Sequence, residues 1–208
     1  STGPLNDNRG IGRVTRNLYQ QFSDLIDFKE EMKKLTDEKR KKFKKYDLSC
    51  VDIYFFSSIH WCKNPIPNNS VVMIMDVTPL VLGDYFPKIV VQNWKKNFKT
   101  IAKKCKHIVT ISDSSARDIA KCLEIESKKI SVIFPGLEKI KAIKDVKIKF
   151  TSTPFLLFLG SNDFHKNAEI VIKALTTPKL QDLNIVFIGE NKELKATCKD
   201  FKITHRAF

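Results

Sequence analysis

The run Phe155-Leu156-Leu157-Phe158-Leu159, opened by Pro154 and closed by Gly160, constrains the fold more than any other stretch of the chain. An unbroken apolar run between a proline and a glycine reads as a strand buried on both faces, the kind found inside a parallel sheet. Small and polar residues follow Gly160, then Asn167 and a helical pattern through Ile170, Ile172, Ala174 and Leu175. That order puts a short polar loop at the carboxyl end of a strand and the amino end of a helix, where unpaired N–H groups and the helix dipole favour an anion. Lys166 adds a mobile positive charge at the same spot. Taken alone the stretch suits a phosphate site and an ordinary strand-to-helix connection equally well, since every α/β chain has several such turns.

The remainder of the chain repeats the alternation. Ile11, Val14, Leu18 and Phe22 fall at helical spacing behind Gly10 and Gly12. Asp52-Ile53-Tyr54-Phe55-Phe56 reads as a buried strand, and Val71 to Met75 as another that ends at Asp76. Between them lies a loop, residues 57–70, containing His60, Trp61 and three asparagines. A helix over 90–104 carries Val91, Trp94, Phe98 and Ile101 on one face. His107 to Ile111 is a strand, 116–123 a helix that Asp113 or Ser114 could cap, and Lys129 to Phe134 a strand stopped by Pro135-Gly136. Strands alternating with helices predict a parallel, doubly wound sheet. Lysine-rich residues 137–152 break the pattern and read as a linker. A strand at Leu183 to Ile188 and a helix at 192–198, leading to Phe201-Lys202-Ile203-Thr204, complete a second α/β unit. The expected domains are therefore 1–136 and 153–208, with a cleft between them as the natural ligand site.

The chain's 208 residues hold 42% hydrophobic and 29% charged side chains, enough to bury a substantial core. No apolar run approaches the roughly 18 residues of a membrane span, and no charged-then-apolar leader opens the chain. Cys50, Cys62, Cys105, Cys122 and Cys198 are scattered and never in C-x-x-C spacing, which predicts reduced thiols in a cytoplasmic protein, no disulfide and no zinc. The net charge of +14 points to a polyanionic neighbour: nucleic acid, an anionic leaflet or a phosphorylated substrate. A lysine-rich surface is also a common solubility feature. Arginine is sparse, and phosphate-forking and base-reading sites lean on arginine. Aromatic residues lie in the strand patterns rather than among the basic ones, so no specific nucleic-acid partner is expected. The segment Asp27 to Asp47 carries many basic and acidic residues with Phe28, Met32, Leu35, Phe43 and Tyr46 mostly three or four apart. It suits a basic amphipathic helix on an anionic membrane or, as we prefer, a surface helix whose narrow stripe packs on the domain. Gly10 and Gly12 allow a close backbone approach, but with no third glycine at the required spacing they fail as a dinucleotide fingerprint.

Five segments, in order, carry a resemblance. They are Gly10-Ile11-Gly12-Arg13 leading a helix; Met75-Asp76-Val77-Thr78-Pro79-Leu80; Ile108 to Ser115 before a helix; Ile130 to Gly136; and Leu157-Phe158-Leu159-Gly160 through Lys166-Asn167. Together they closely resemble the GT-B-fold glycosyltransferases of family 4 (glycosyltransferase group 1, mannosyltransferase-like). The resemblance implies an α/β protein of two tandem Rossmann-like parallel-sheet units, the second truncated. It implies retaining transfer of a hexose from a nucleotide-diphosphate sugar to a glycan or lipid-linked acceptor in cell-envelope polysaccharide synthesis. Neither a metal nor any cofactor beyond the sugar nucleotide is implied. Its setting would be cytoplasmic, with peripheral contact at the inner face of an anionic membrane.

By the same resemblance, Lys166 looks like the family's diphosphate-binding lysine and Gly160 closes the strand before its loop. Gly10, Gly12 and Arg13 resemble the glycine loop facing donor phosphates and acceptor. Asp76 resembles the aspartate of a catalytic His-Asp pair, and Ser112 the serine of a Val-Ser turn on the cleft side. A departing diphosphate gains charge in the transition state, and a lysine with helix amino ends stabilises it without a metal. Each residue also has a plainer role open to it: Asp76 can hydrogen-bond a turn, Ser112 can end a strand, and Lys166 can be solvated. Met75 stands where the family commonly has histidine, and His165 where related members often have arginine. The paired donor-holding glutamates and a strand before the glycine loop are missing, so this chain alone is expected to bind nucleotide weakly without turnover. The alternative is a non-catalytic, transferase-like protein that binds a polyanion or a partner.

Overall fold

A computed structural model describes residues 6, 10–23, 52–62, 66–137, 154–159, 164–180, 182–187, 192–200 and 205–207. The chain divides into two compact units, Ser1–Glu138 and Lys139–Phe208, and each is described by itself. Both are α/β with parallel sheets. The expected helix at Asp27 to Asp47, most of the linker 137–152, Gly160, Cys50 and Phe201 to Thr204 lie outside the described residues.

In the first unit, strands β1 (Tyr54–Phe56), β2 (Ser70–Met73), β3 (His107–Thr110) and β4 (Ile130–Val132) form one sheet in the order β1-β2-β3-β4. The register aligns Phe56 with Val72, Val72 with Ile108, and Ile108 with Ile130. Because successive side chains of a strand point to opposite faces, these four residues make an apolar row on one face. Helices α3 (Lys88–Lys104) and α4 (Asp113–Leu123) cover that row with Phe98, Ile101, Ala102, Ile119 and Leu123. Fully burying an Ile or Leu side chain contributes about 1.5–3 kcal/mol. On the other face, Phe22 of helix α1 (Gly10–Ser23) meets Phe55 edge-on, ring centroids 5.7 Å apart. Helices thus lie on both faces, as a doubly wound sheet requires.

The predicted elements need several corrections. Strand 52–56 is only Tyr54–Phe56; among the described residues it lies at one end of the sheet, and its Phe55 is exposed rather than buried. Strand 129–134 is only Ile130–Val132, at the opposite end of the sheet among the described residues, with Ile133 and Phe134 exposed. Helix α4 begins at Asp113, three residues earlier than expected, and its cap is Ser112 rather than Asp113 or Ser114. Ser58 caps a 3-10 turn, Ile59–Trp61, inside the expected loop. A short helix α2 (Thr78–Val81) and a 3-10 turn, Gly83–Tyr85, precede α3.

In the second unit, β5 (Phe155–Phe158), β6 (Asn184–Phe187) and β7 (His205–Ala207) form a parallel sheet in the order β5-β6-β7, with helices α5 (Ala168–Ala174) and α6 (Lys192–Asp200). Ile185 and Phe187 pack with Ala168, Ile172, Leu175 and Cys198, and Leu156 and Phe158 join them. The strand expected to be buried on both faces lies, among the described residues, at one end of its sheet. Phe155 is 41% exposed, Leu157 49% and Leu159 70%. The core takes one face of β5, and the alternate residues point away from it. An apolar run of this length fixes strand character but not how many of its faces are covered.

Candidate functional site

Three segments of the first unit converge on the carboxyl edge of its sheet. Strand β1 ends at Phe56, and Ser57 follows it. The Thr15 hydroxyl lies 2.9 Å from the Ile11 carbonyl and 3.0 Å from the Ser57 hydroxyl. A hydroxyl has one proton, so when Thr15 donates to Ile11 it accepts from Ser57. That pair, with Phe22 against Phe55, fixes the direction of α1. Its first turn, carrying Gly10, Gly12 and Arg13, stands at the carboxyl edge and the helix runs back along β1. Its first turn carries no acidic side chain, so the positive end of the dipole is uncompensated within the helix. Gly10 has no atom within 4 Å of where a Cβ would sit; Gly12 is buried and Arg13 exposed.

Beyond β2, Asp76 is exposed, and its Oδ1 accepts from the Thr78 backbone N–H at 3.0 Å, opening α2. At the end of β3, the Thr110 hydroxyl donates to the Met75 carbonyl at 3.3 Å, holding the residue before Asp76 beside the neighbouring strand. Ser112 caps α4, its Oγ accepting from the Ser115 N–H at 3.1 Å. Strands β1, β2 and β3 are neighbours, so their ends span about 10 Å at the ordinary strand spacing. The structure therefore brings Gly10, Gly12, Arg13, Asp76 and Ser112 to one edge. Asp76 and Ser112 also perform the local backbone roles open to them from sequence.

Lys166 belongs to the second unit. It ends a 3-10 turn, Phe164–Lys166, and is exposed. Asn167 follows in the left-handed region, φ 49°, ψ 42°, and its side chain caps nothing although it sits at the amino end of α5. Left-handed backbone is easiest for glycine and then for Asn and Asp, so this asparagine sets the turn rather than the cap. Helix α5 has seven residues, so the positive charge at this loop is carried by Lys166 more than by a long dipole. Gly160 lies outside the described residues.

Several features were not anticipated from sequence. The Thr15–Ser57 pair joins residues 42 apart and leaves no local signal. His60, Trp94 and Phe98 form an aromatic trio, with centroids 4.8 Å apart for His60–Trp94 and 5.1 Å for the stacked Trp94–Phe98 pair. Together with Cys62 and Asn97 they line a hollow of about 410 Å³. The Trp61 indole N–H nearby in sequence is buried without a partner among the described residues. Cys62, Cys105, Cys122 and Cys198 carry free thiols. Burial pushes Cys62 up to about 12, with the neighbouring Cys105 adding to it. Burial raises the other three as well, which keeps them protonated and poorly nucleophilic. Among the described residues no group of three or more His, Cys, Asp or Glu is arranged to hold a metal ion, and no helix is long and apolar enough to cross a membrane.

No family model matches the chain. The chain is 31% identical over 111 residues to the O-antigen chain mannosyltransferase RfbU of Salmonella typhimurium, a match covering 52% of this chain and 29% of that protein. This supports a relationship to glycosyltransferases. The aligned part is under a third of the relative's length. Among solved structures, the chain is similar at TM-score 0.34 and 10% identity to the crystal structure of accessory secretory protein 1, 2 and 3 of Streptococcus pneumoniae, covering 77% of this chain and 34% of that one. At that level the likeness bears on neither fold nor function.

Proposed function

We propose that the chain is a retaining glycosyltransferase of the GT-B, family 4 kind, or a fragment of one. It would transfer a hexose from a nucleotide-diphosphate sugar to a glycan or lipid-linked acceptor in cell-envelope polysaccharide synthesis. The observation that carries the proposal is the gathering of Gly10, Gly12, Arg13, Asp76 and Ser112 at one carboxyl edge of a parallel sheet. Ligands of open α/β sheets bind at that edge. The partial match to a mannosyltransferase supports the same class.

In this account the start of α1, with Arg13, meets the donor phosphates at the carboxyl edge of the first unit's sheet, and in the second unit Lys166 is assigned the role of a diphosphate-binding lysine. Asp76 acts at the acceptor side as the catalytic carboxylate, and Ser112 positions the substrate beside it. The donor substrate is the only small molecule required, with no metal or further cofactor. A second reading, a non-catalytic binder of polyanions, rests on Asp76 and Ser112 each already accepting a local backbone N–H.

Thermal unfolding of the chain with UDP, GDP and ADP tests the proposal. A ligand that binds only the folded state, present at about a hundred times its Kd, adds about 2.7 kcal/mol of stability. One nucleotide is expected to raise the midpoint, and Lys166→Ala to remove most of that rise. An equal response of Lys166→Ala and the parent chain to every nucleotide contradicts the assignment of Lys166.

A further inference from the structure

We propose that the aromatic hollow beside helix α3 is a subsite for one neutral sugar ring of the acceptor glycan, an assignment that rests on the transferase reading above. The hollow holds about 410 Å³, a size that suits a small ligand. Ile59, Phe98 and Ile101 form its buried lining. His60 and Asn97 form its exposed lining, and Trp94 and Cys62 are half-buried. The turn that presents His60 is held by Ser58, whose Oγ accepts from the His60 backbone N–H at 3.3 Å and whose carbonyl accepts from the Trp61 N–H at 3.1 Å. The Cys62 N–H donates to the Ile59 carbonyl at 3.1 Å. This wall is therefore built by backbone hydrogen bonds and needs no ligand to form it.

The lining selects an uncharged ligand. Among the described residues none that borders the hollow carries a carboxylate, ammonium or guanidinium group, although the chain's net charge is +14. The rings decide which uncharged ligand fits. Trp94 and Phe98 stack in direct contact, centroids 5.1 Å apart and planes 26° apart. His60 stands edge-on to both, at 4.8 Å and 62° from Trp94 and at 5.4 Å and 67° from Phe98. No two of these rings leave a parallel slot in which a flat heteroaromatic base would be sandwiched. A sugar ring needs only one apolar wall, whose electron-rich ring faces attract its C–H groups, and polar groups at the rim for its hydroxyls. Asn97 supplies there one carbonyl acceptor and two N–H donors. The position suits an acceptor. Ser57 follows β1 at the carboxyl edge, its hydroxyl 3.0 Å from that of Thr15, and His60 lies three residues on, a reach of at most about 11 Å. A glycan whose reacting end sits at that edge thus has a more distant sugar within reach of the hollow.

The test is NMR titration of the labelled 208-residue chain with mannotriose, maltotriose and adenosine at millimolar concentration. At least one trisaccharide is expected to move the signals of the Trp94 indole N–H and the Asn97 side-chain amide. Asn97→Ala removes a hydrogen-bonding amide and should weaken that binding about two- to tenfold. Trp94→Leu keeps an apolar side chain but removes the ring, and should weaken it as well. Gln92→Ala, at an exposed position of α3 outside the hollow, should leave it unchanged. Asn97 is exposed, and an unchanged spectrum away from the hollow verifies that its variant is folded. The proposal is overturned if neither trisaccharide moves those signals, if Asn97→Ala binds as well as Gln92→Ala, or if adenosine alone occupies the hollow. Adding UDP, GDP and ADP to the same sample separates the subsite from the transferase reading. Nucleotide shifts at Gly10 and Gly12 without a trisaccharide response overturn the subsite and leave that reading standing. Trisaccharide shifts at the hollow without any nucleotide response support the sugar site and defeat the transferase reading.

Discussion

Removing the Thr15–Ser57 contact should loosen α1 from the carboxyl edge of the first sheet, and a double-mutant cycle measures by how much. Thr15→Val keeps the side chain's shape and deletes its oxygen; Ser57→Ala deletes the partner. Thr15 is buried and Ser57 half-buried, so each single change leaves the other hydroxyl short of a partner away from bulk water, at about 1–3 kcal/mol. The contact is neutral and 3.0 Å long, which sets its coupling at about 0.5–1.5 kcal/mol. The double variant should accordingly be more stable than the sum of the two singles by that amount. Trp61 and Trp94 are the chain's two tryptophans, and both belong to the first unit. Urea unfolding followed by tryptophan fluorescence therefore reports on that unit. Strict additivity, within about 0.3 kcal/mol, would refute the claim that this pair tethers α1.

Other outcomes follow from single contacts. Ile108→Ala, at a fully buried position of β3, should cost about 2–5 kcal/mol in the same urea assay. Ser112→Ala removes the cap of α4 and should cost about 1 kcal/mol, with Ser112→Gly closer to the parent chain. Asn167→Val forces a β-branched residue into left-handed backbone and should lower stability by about 1–2 kcal/mol, while Asn167→Gly should not, as judged by the second unit's far-UV melting. The Cys62 thiol, raised from 9.0 to about 12, binds its proton more tightly in the folded chain than in the unfolded one. Its contribution is fully present below pH 9 and is lost as pH rises toward about 12. The melting temperature should fall through that window, and less steeply in Cys62→Ala.

The sequence was most legible where periodicity and punctuation agree. Helix α3 was expected over 90–104 and occupies Lys88–Lys104, because Trp94, Phe98 and Ile101 mark its inward face. Strand β3, flanked by strands on both sides, lies within a residue of expectation. Legibility failed at sheet edges. The apolar runs at Tyr54–Phe56 and Phe155–Phe158 look like interior strands, yet among the described residues each pairs with a strand on one side. Strand order is a property of distant segments, so a local apolar run cannot encode it. Among the candidate residues, the strand-to-helix junctions placed Asp76 and Ser112 at the carboxyl edge. Asn167 was harder to read, since an asparagine before a helix normally signals a side-chain cap and here it supports a left-handed turn instead. The tie from Thr15 to Ser57, which orients Gly10, Gly12 and Arg13, depends on tertiary packing alone.

The most direct measurement is amide chemical-shift mapping of the labelled chain during titration with UDP, GDP and ADP. The account predicts that one nucleotide moves the signals of Gly10, Gly12, Arg13 and Ser112, at the carboxyl edge of the first unit's sheet. Shifts confined to the lysines at 103, 106, 128 and 129, with the carboxyl-edge residues unmoved, would contradict it.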